Sequence, residues 1–408
     1  MLSELDLKIR SQFPLLSNRD MVYLDNAATS QKPQCVIDAV NEFYQKNNAN
    51  PGRGLYELSI DCTNRYEEAR QTVADFINAK EKETIIFTRN ASESLNLIAY
   101  SYGMHNLKEG DEIIVNIAEH HSNILPWRNV ARHTGAVIKY YDIEQDGEVK
   151  VEKLAEMITD KTKIITLAQI SNVFGRLNDI KAITRIAHEK GIAVVCDGAQ
   201  SVPHIPVDVQ DLDVDFLAFS GHKMFAPMGI GVLFGKRELL EAMPPFLYGG
   251  EMIEYVTREG ETYAPIPEKF EAGTVNAAGA IGLAAAIRYI QSYGMEFIEE
   301  REYQLTKYAM EKMSEIPNVH LIGSDKPEEH HGILTFKIDG VHPHDIAAIF
   351  DSEKIGVRAG HHCAQPLHLH IGIMSTTRAS LAFYNTKEDI DTFIACLGKI
   401  RGLMGYGE

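Results

Sequence analysis

From Glu112 onward, short β-branched runs alternate with helical patterns, and this alternation restricts the fold more than any other feature of the chain. The runs are EIIVNI, AVIKYY, KIITLA, IAVVC, VDFLAFS and GVLFG. Repeated β-then-α spacing implies an α/β architecture, a mainly parallel central sheet with flanking helices. In open sheets of this kind ligands collect at the carboxyl ends of the strands, so the chemistry is expected just after these runs.

The pattern changes in the second half. Met243 to Pro267 is rich in Pro, Gly and Tyr and has weak periodicity, as an excursion from the sheet would. A helix of small residues follows, from Val275 to Tyr293, and then a charged helical segment to Ser314. Strand patterns at Val319 to Ile322 and Ile333 to Ile338, with helices near His344 to Ser352 and Lys387 to Arg401, describe a compact α+β unit. With 408 residues there is chain enough for both. The expected division is residues 1–20 as an N-terminal segment packing on the small domain, 21–293 as the large domain, and 294–408 as the small C-terminal domain. No internal repeat or low-complexity tract interrupts it.

Forty basic against 57 acidic residues leave a formal charge of −17, a field that repels nucleic acid and anionic lipid. Small-molecule or protein partners are therefore expected. Cys35, Cys62, Cys196, Cys363 and Cys396 are scattered and never form a CxxC pair, so neither a disulfide framework nor a zinc knuckle is indicated. The N-terminus, MLSELDLKIR, lacks the apolar run of a secretory signal, and the weakly polar stretch Ala277 to Ile287 is too short to span a membrane. A reducing cytoplasm is the expected location.

Several residues stand where chemistry is expected. Lys223, in SGHK, follows the strand pattern VDFLAF. By itself it reads first as a solvated charge. Asp197 ends the run IAVVC, and such a pair suits a pyridoxal-phosphate (PLP) site: an amine for the Schiff base and a carboxylate that keeps the pyridine nitrogen protonated. Asp197 alone would also serve as a turn residue. Asn90 and Glu93 have capping spacing, which sets Ser92 at a helix N-terminus where anions are favoured, with Ser220 and His222 as further phosphate contacts. His120 follows EIIVNI, where an imidazole can stack on a ring and move protons, or merely hold a loop. Cys363 lies in RAGHHCAQP, a Gly-containing loop whose Arg358 and histidines favour a nucleophilic thiolate. The rivals there are a buried inert thiol and a metal site built from His361, His362, Cys363, His368 and His370.

Read in order, these segments resemble the class V branch of the fold-type I PLP-dependent transferases, and within it the group II (Suf-type) cysteine desulfurases. The likeness also includes YLDNAATSQKP (23–33), EHHSNILPW (119–127), SNVFG (171–175), DGAQS (197–201), KFEAGTVN (269–276) and TRASLAFYNT (377–386), nearly the whole chain. The resemblance implies that residues 21–293 form a PLP-binding domain and that residues 294–408 carry the catalytic cysteine loop. It implies Lys223 as the cofactor-holding lysine, Asp197 at the ring nitrogen, Gln200 at the phenolic oxygen and His120 on the ring face. Ser92, Ser220 and His222 would bind phosphate, joined by Thr274 from the other subunit of a homodimer. Asn172 and Arg378 resemble the substrate-carboxylate pair, and Arg358 supports the neighbourhood of Cys363.

The implied reaction takes sulfur from L-cysteine. Lys223, once freed, removes the α-proton, Cys363 attacks the substrate sulfur, and alanine leaves while a persulfide stays on the enzyme for iron-sulfur cluster assembly. His120 is a candidate proton donor. The short cysteine loop and the GGEMI segment (249–253) resemble group II, which implies a sulfur acceptor of the SufE-like or zinc-bearing SufU-like kind. His342 resembles a histidine that some members offer to the acceptor's zinc, although Pro343 and Asp345 also mark an ordinary helix start. No resident metal is expected. Tyr56 replaces a histidine frequent in relatives, and Gln169, Ala91 and Ala226 depart from the usual His, Thr and Gly. Selenocysteine lyase activity, another class V reaction that has no use for Cys363, and a metal-binding scaffold are the alternatives.

Overall fold

The computed structural model describes residues 3–406. Its main sheet has seven strands in the order Ile85–Thr88, Gly231–Gly235, Phe216–Ser220, Ala193–Asp197, Thr162–Ala168, Glu112–Asn116 and Val137–Tyr141. All run the same way except Gly231–Gly235, which is antiparallel to both neighbours. The sequence pattern missed this reversal. Only a 3₁₀ turn, Gly221–Lys223, and a loop join this strand to Phe216–Ser220, and a parallel return requires a longer crossover, usually a helix.

Alternate residues of the same strand feed two separate cores, as a two-residue side-chain period requires. Ile113 and Val115 join Trp127, Val130 and Phe216 on one face. Ile114 joins Ile165, Val194, Leu217 and Phe219 on the other, under the helix Ala277–Tyr293. Burial on both sides is why these runs read as continuously apolar. The edge strand Val137–Tyr141 is only half-buried, and its Lys139 pairs with Glu112 at 2.8 Å; a charge on an edge discourages further strand pairing.

A second, antiparallel sheet has the order Val319–Leu321, Ile333–Ile338, Thr376–Ser380 and Arg358–Gly360. Its core contains Phe336, Phe350 and Phe393, supplied in part by the helices Pro343–Ser352 and Lys387–Leu397; the last two rings stack at 5.0 Å. The excursion from Met243 to Pro267 contains a short hairpin, Ile253–Val256 with Glu261–Tyr263.

The N-terminal segment ties the two sheets together. Arg10 pairs with Asp389 at 2.9 Å, Val22–Tyr23 runs parallel to Ile355–Gly356, and Phe13 packs among Phe225, Tyr289, Phe383 and Tyr384. The expectations for residues 1–20 and 294–408 extend over residues 1–2 and 407–408, which lie outside the described residues. Among the described residues, no helix is long and apolar enough to cross a membrane.

Candidate functional site

A cavity of about 470 Å³ opens where the carboxyl ends of the central strands meet the cysteine loop. Ser92, His120, Asn172, Asp197, Gln200, Ser220, His222, Lys223, Arg358, Cys363 and Arg378 all line it. Residues from both halves of the sequence thus share one wall, as the strand-end rule anticipates.

Asp197 closes its strand fully buried, with the Ala199 N–H on Oδ1 at 2.9 Å, and no donor among the described residues meets Oδ2. Burial pushes its carboxyl above the usual range, opposed by the Ala199 bond and by Lys223. Burial likewise pushes the Lys223 amine down to about 8, against the pull of Asp197. A buried acid and amine both under desolvation form a site short of countercharge. Arg378 has the same mark: burial, the largest cause, holds it down to about 10.

The turn that presents Lys223 is held by contacts the motif reading overlooked. The His222 carbonyl accepts from the Ser30 N–H at 3.1 Å, Thr29 Oγ1 at 3.0 Å and Lys32 Nζ at 2.9 Å. Lys32 is itself pushed down to about 8 by burial. It was visible in the segment YLDNAATSQKP, but its target is distant in sequence.

At the other end of the cavity the helix Ala91–Leu97 begins with Asn90, whose side chain accepts the Glu93 N–H at 3.0 Å. Glu93 in turn receives the Arg89 N–H, one residue before the position a capping box would use. The Ala91 N–H donates to Ser220 Oγ at 2.8 Å, and Ser92 Oγ lies 2.6 Å from Ser122 Oγ. Gly231 permits this approach, since a Cβ there would lie 2.5 Å from Asn90 Cα. The His222 ring, held down to about 4 chiefly by burial, is neutral here.

His120 Nδ1 accepts the Ser122 N–H at 3.1 Å, which orients the ring, and burial pushes it down to about 3. The preceding Glu119 is an unpredicted member of the neighbourhood. It is fully buried and accepts from the Ala168 N–H at 2.9 Å and Asn123 Nδ2 at 2.7 Å. Burial lifts its carboxyl to about 8, aided by the Asp197 charge.

The part of the lining that holds Arg358 and Arg378 is cationic. Arg378 Nη1 donates to the Asn172 carbonyl at 2.7 Å, its Nη2 is 3.7 Å from Asp25 Oδ1, and its Nε has no partner. Arg358 is held by Asp25 through two bonds, at 3.1 and 2.8 Å. Asn172 Nδ2 donates to the His362 carbonyl at 2.7 Å, so this residue braces the cysteine loop as well as lining the cavity.

Cys363 is exposed, and it and His362 both have left-handed backbone, φ 57° and 51°. The dense histidines nearby are not a metal cluster: among the described residues no group of three or more His, Cys, Asp or Glu side chains is arranged to hold a metal. His362 Nε2 and His368 Nε2 instead meet Thr376 Oγ1 at 2.9 and 3.0 Å, bracing the loop.

Two expected residues, Thr274 and His342, and the departure at Tyr56 lie outside the cavity. Thr274 is exposed. Tyr56 is exposed at the start of the helix Glu57–Phe76. His342 is exposed and caps the helix Pro343–Ser352, its Nδ1 accepting the His344 N–H at 3.2 Å.

PLP suits this lining. Its phosphate matches a helix N-terminus with two serine hydroxyls, its pyridinium matches the unmatched Oδ2 of Asp197, and its aldehyde matches a buried, readily neutral amine. The buried, unpartnered Oε1 of Gln200, whose Nε2 is spent on the Ala27 carbonyl at 2.9 Å, marks a place for a further polar group.

Comparison with known proteins agrees with this reading. The family described as Aminotransferase class-V matches residues 22–393. A probable cysteine desulfurase of Halalkalibacterium halodurans is 47% identical over 403 residues, covering 98% of each chain. Among solved structures, the cysteine desulfurase CsdA of Escherichia coli, in an S-sulfonic acid form, superposes with a TM-score of 0.91 at 40% identity, covering 99% of each chain. The apo cysteine desulfurase of Thermococcus onnurineus gives 0.93 at 40% identity, covering 98% of this chain and 99% of its own.

Proposed function

The chain belongs to the class-V aminotransferase family, and from that membership and the cavity we propose that it is a PLP-dependent cysteine desulfurase. The observation that carries the reading is the convergence of the Lys223 amine, the Asp197 carboxyl and the Cys363 thiol on one cavity. Another class V reaction would have no use for that thiol.

In this reading Lys223 holds the cofactor, Asp197 faces its ring nitrogen, Gln200 its phenolic oxygen and His120 its ring, while Ser92, Ser220 and His222 hold the phosphate. Bound PLP supplies an electron sink for the charge that develops at the substrate α-carbon. Arg378, with Asn172 beside it, takes the L-cysteine carboxylate, to which a guanidinium offers the bidentate geometry arginine favours; its unpartnered Nε is one donor not yet committed. Lys223 removes the α-proton, a task suited to an amine whose proton affinity burial has lowered to about 8. The Cys363 thiolate attacks the substrate sulfur; the S–S bond forms as the C–S bond breaks, the carbon skeleton takes up protons relayed through the neutral His120 ring, which gives one as it gains another, and L-alanine leaves. Arg358, anchored by Asp25, keeps a positive charge beside the thiolate.

The remaining assignments rest on the same reading. Residues 21–293 form the PLP-binding unit, 294–408 the small unit that carries the cysteine loop, and 1–20 a segment packed on it. The enzyme acts in the cytoplasm as a homodimer in which Thr274 completes the phosphate site of the opposite subunit, consistent with its exposure here. The persulfide passes to a SufE-like or SufU-like acceptor in Suf-type iron-sulfur assembly, and the exposed His342 is available to a zinc-bearing acceptor. The test is direct. The holoenzyme with L-cysteine and a reductant should release alanine and sulfide in equal amounts, and Cys363→Ser should abolish release while the cofactor stays bound. Normal turnover by that variant refutes the assignment.

A further inference from the structure

Cys363 sits in backbone that non-glycine residues avoid, with two consecutive left-handed residues, and such a conformation persists only where surrounding contacts enforce it. One residue outside the assigned machinery supplies two of those contacts. The His121 N–H donates to the Cys363 carbonyl at 2.7 Å. The Gln365 N–H, at the start of the helix Gln365–His370, donates to His121 Nε2 at 3.1 Å. His121 thus brackets the cysteine from both sides and binds its loop to the segment carrying His120, which contacts the cavity.

We propose that His121 is a positioning residue for sulfur transfer, a latch that holds the Cys363 loop closed while its ring is neutral and loosens it on protonation. The inference rests on the reading of Cys363 as the sulfur acceptor. The chemistry of the latch is that of one lone pair. Nε2 accepts from Gln365 only in the neutral ring with hydrogen on Nδ1, because an imidazolium has no acceptor. The backbone bond to Cys363 survives any side-chain change, so the titratable part of the latch is the Gln365 bond alone.

The groups facing the ring favour the latched form. Arg128, from the helix Leu125–Thr134, and His361, from the cysteine loop, both oppose a positive charge on it, and the His120 ring lies 6.4 Å away. Partial burial, the largest cause, acts in the same direction and holds the ring below the ordinary imidazole value. The latch therefore stays closed at neutral pH and opens only on acidification. A loop that can loosen without losing its cysteine is suited to handing sulfur onward, since attack on the substrate and delivery to an acceptor need different thiol positions.

The test uses the holoenzyme with two substitutions, His121→Leu, which removes the acceptor, and His121→Gln, which restores an acceptor that does not titrate. Hydrogen exchange is followed at the Gln365 amide between pH 5.5 and 8, comparing proteins at equal pH so that the intrinsic exchange rate cancels. At pH 8 exchange in His121→Leu should exceed that in His121→Gln by about three- to tenfold, the range for one hydrogen bond, while the unsubstituted enzyme matches His121→Gln. As pH falls, only the unsubstituted enzyme should move toward the His121→Leu rate. Alanine formation should show the same split, with kcat lowered in His121→Leu, KM for L-cysteine unchanged, and a fall in kcat on acidification that the unsubstituted enzyme shows and His121→Gln lacks. Equal exchange in all three proteins, or an unsubstituted enzyme that tracks His121→Gln down to pH 5.5, overturns the latch. If His121→Leu fails to fold, the comparison of the unsubstituted enzyme with His121→Gln decides by itself. Failure of the desulfurase reading is separate: it shows as no alanine from the unsubstituted enzyme, whatever the exchange at Gln365.

Discussion

Replacing Arg378 by lysine keeps the charge and removes the geometry, and its cost follows from the bonds the guanidinium makes. Nη1 is committed to the Asn172 carbonyl at 2.7 Å, Nη2 stands 3.7 Å from Asp25, beyond hydrogen-bond range, and Nε is unpartnered in a fully buried setting. The guanidinium presents a two-pronged edge, shared on Nη2 with the Asp25 charge, and a lysine ammonium supplies a point charge in its place. One charge-assisted hydrogen bond lost at this edge is worth about 1.5–3 kcal/mol, roughly a 10- to 150-fold weakening. Arg378→Lys in a Cys363→Ser background, where sulfur cannot be taken, allows L-cysteine affinity to be read from the absorbance change of the bound cofactor without turnover. The dissociation constant should rise by that factor while PLP content is unchanged. An affinity within about twofold of the parent would show that the substrate carboxylate is bound elsewhere, since such a difference is below the smallest of these bond energies.

Two further predictions rest on buried charge. Glu271 accepts from Arg70 Nη1 and Nη2 at 2.7 and 2.9 Å, from the Tyr66 hydroxyl at 2.8 Å and from the Phe87 N–H at 2.7 Å. Glu271→Gln leaves the buried Arg70 with only Glu67, 3.1 Å from its Nε, as a countercharge and should destabilise the fold by about 1.5–3 kcal/mol, seen as a lower urea midpoint; an unchanged midpoint would mean the pair contributes little. The second concerns pH. PLP adds only to a neutral amine, and the neutral fraction of Lys223 grows as pH rises through its lowered value of about 8. Cofactor incorporation into apoprotein should therefore accelerate with pH and level off above about 8. A rate still climbing toward the ordinary lysine range would show that burial does not control this amine.

Much of the site was legible because its signals are local. Lys223 and Asp197 end strand patterns, and Cys363 lies in a distinctive loop; each could be named from its neighbours in the chain. The residues overlooked act on partners far away in sequence. Lys32 reaches the His222 carbonyl, Asp25 holds Arg358, and His121 clasps Cys363 and Gln365, and none of these pairings leaves a periodic trace. The histidine-rich loop left its alternatives open: its composition also suits a metal, and only the structure shows His362 and His368 hydrogen-bonded to Thr376 Oγ1. Thr274, Tyr56 and His342 were named from resemblance, and a single chain leaves all three on its surface.

The amino-acid order alone indicated six of the seven strands of the main sheet, Ile85–Thr88 being the one not read, and the positions at which reactive groups would emerge, because apolar runs and the ends of strands are properties of consecutive residues. Tertiary packing decided the rest. It reversed the strand Gly231–Gly235, where the connection is too short for a crossover, and it lowered the proton affinity of Lys223 and raised that of Glu119. Desolvation and hydrogen bonding depend on which atoms meet in space, and those neighbours are chosen only when the whole chain has folded.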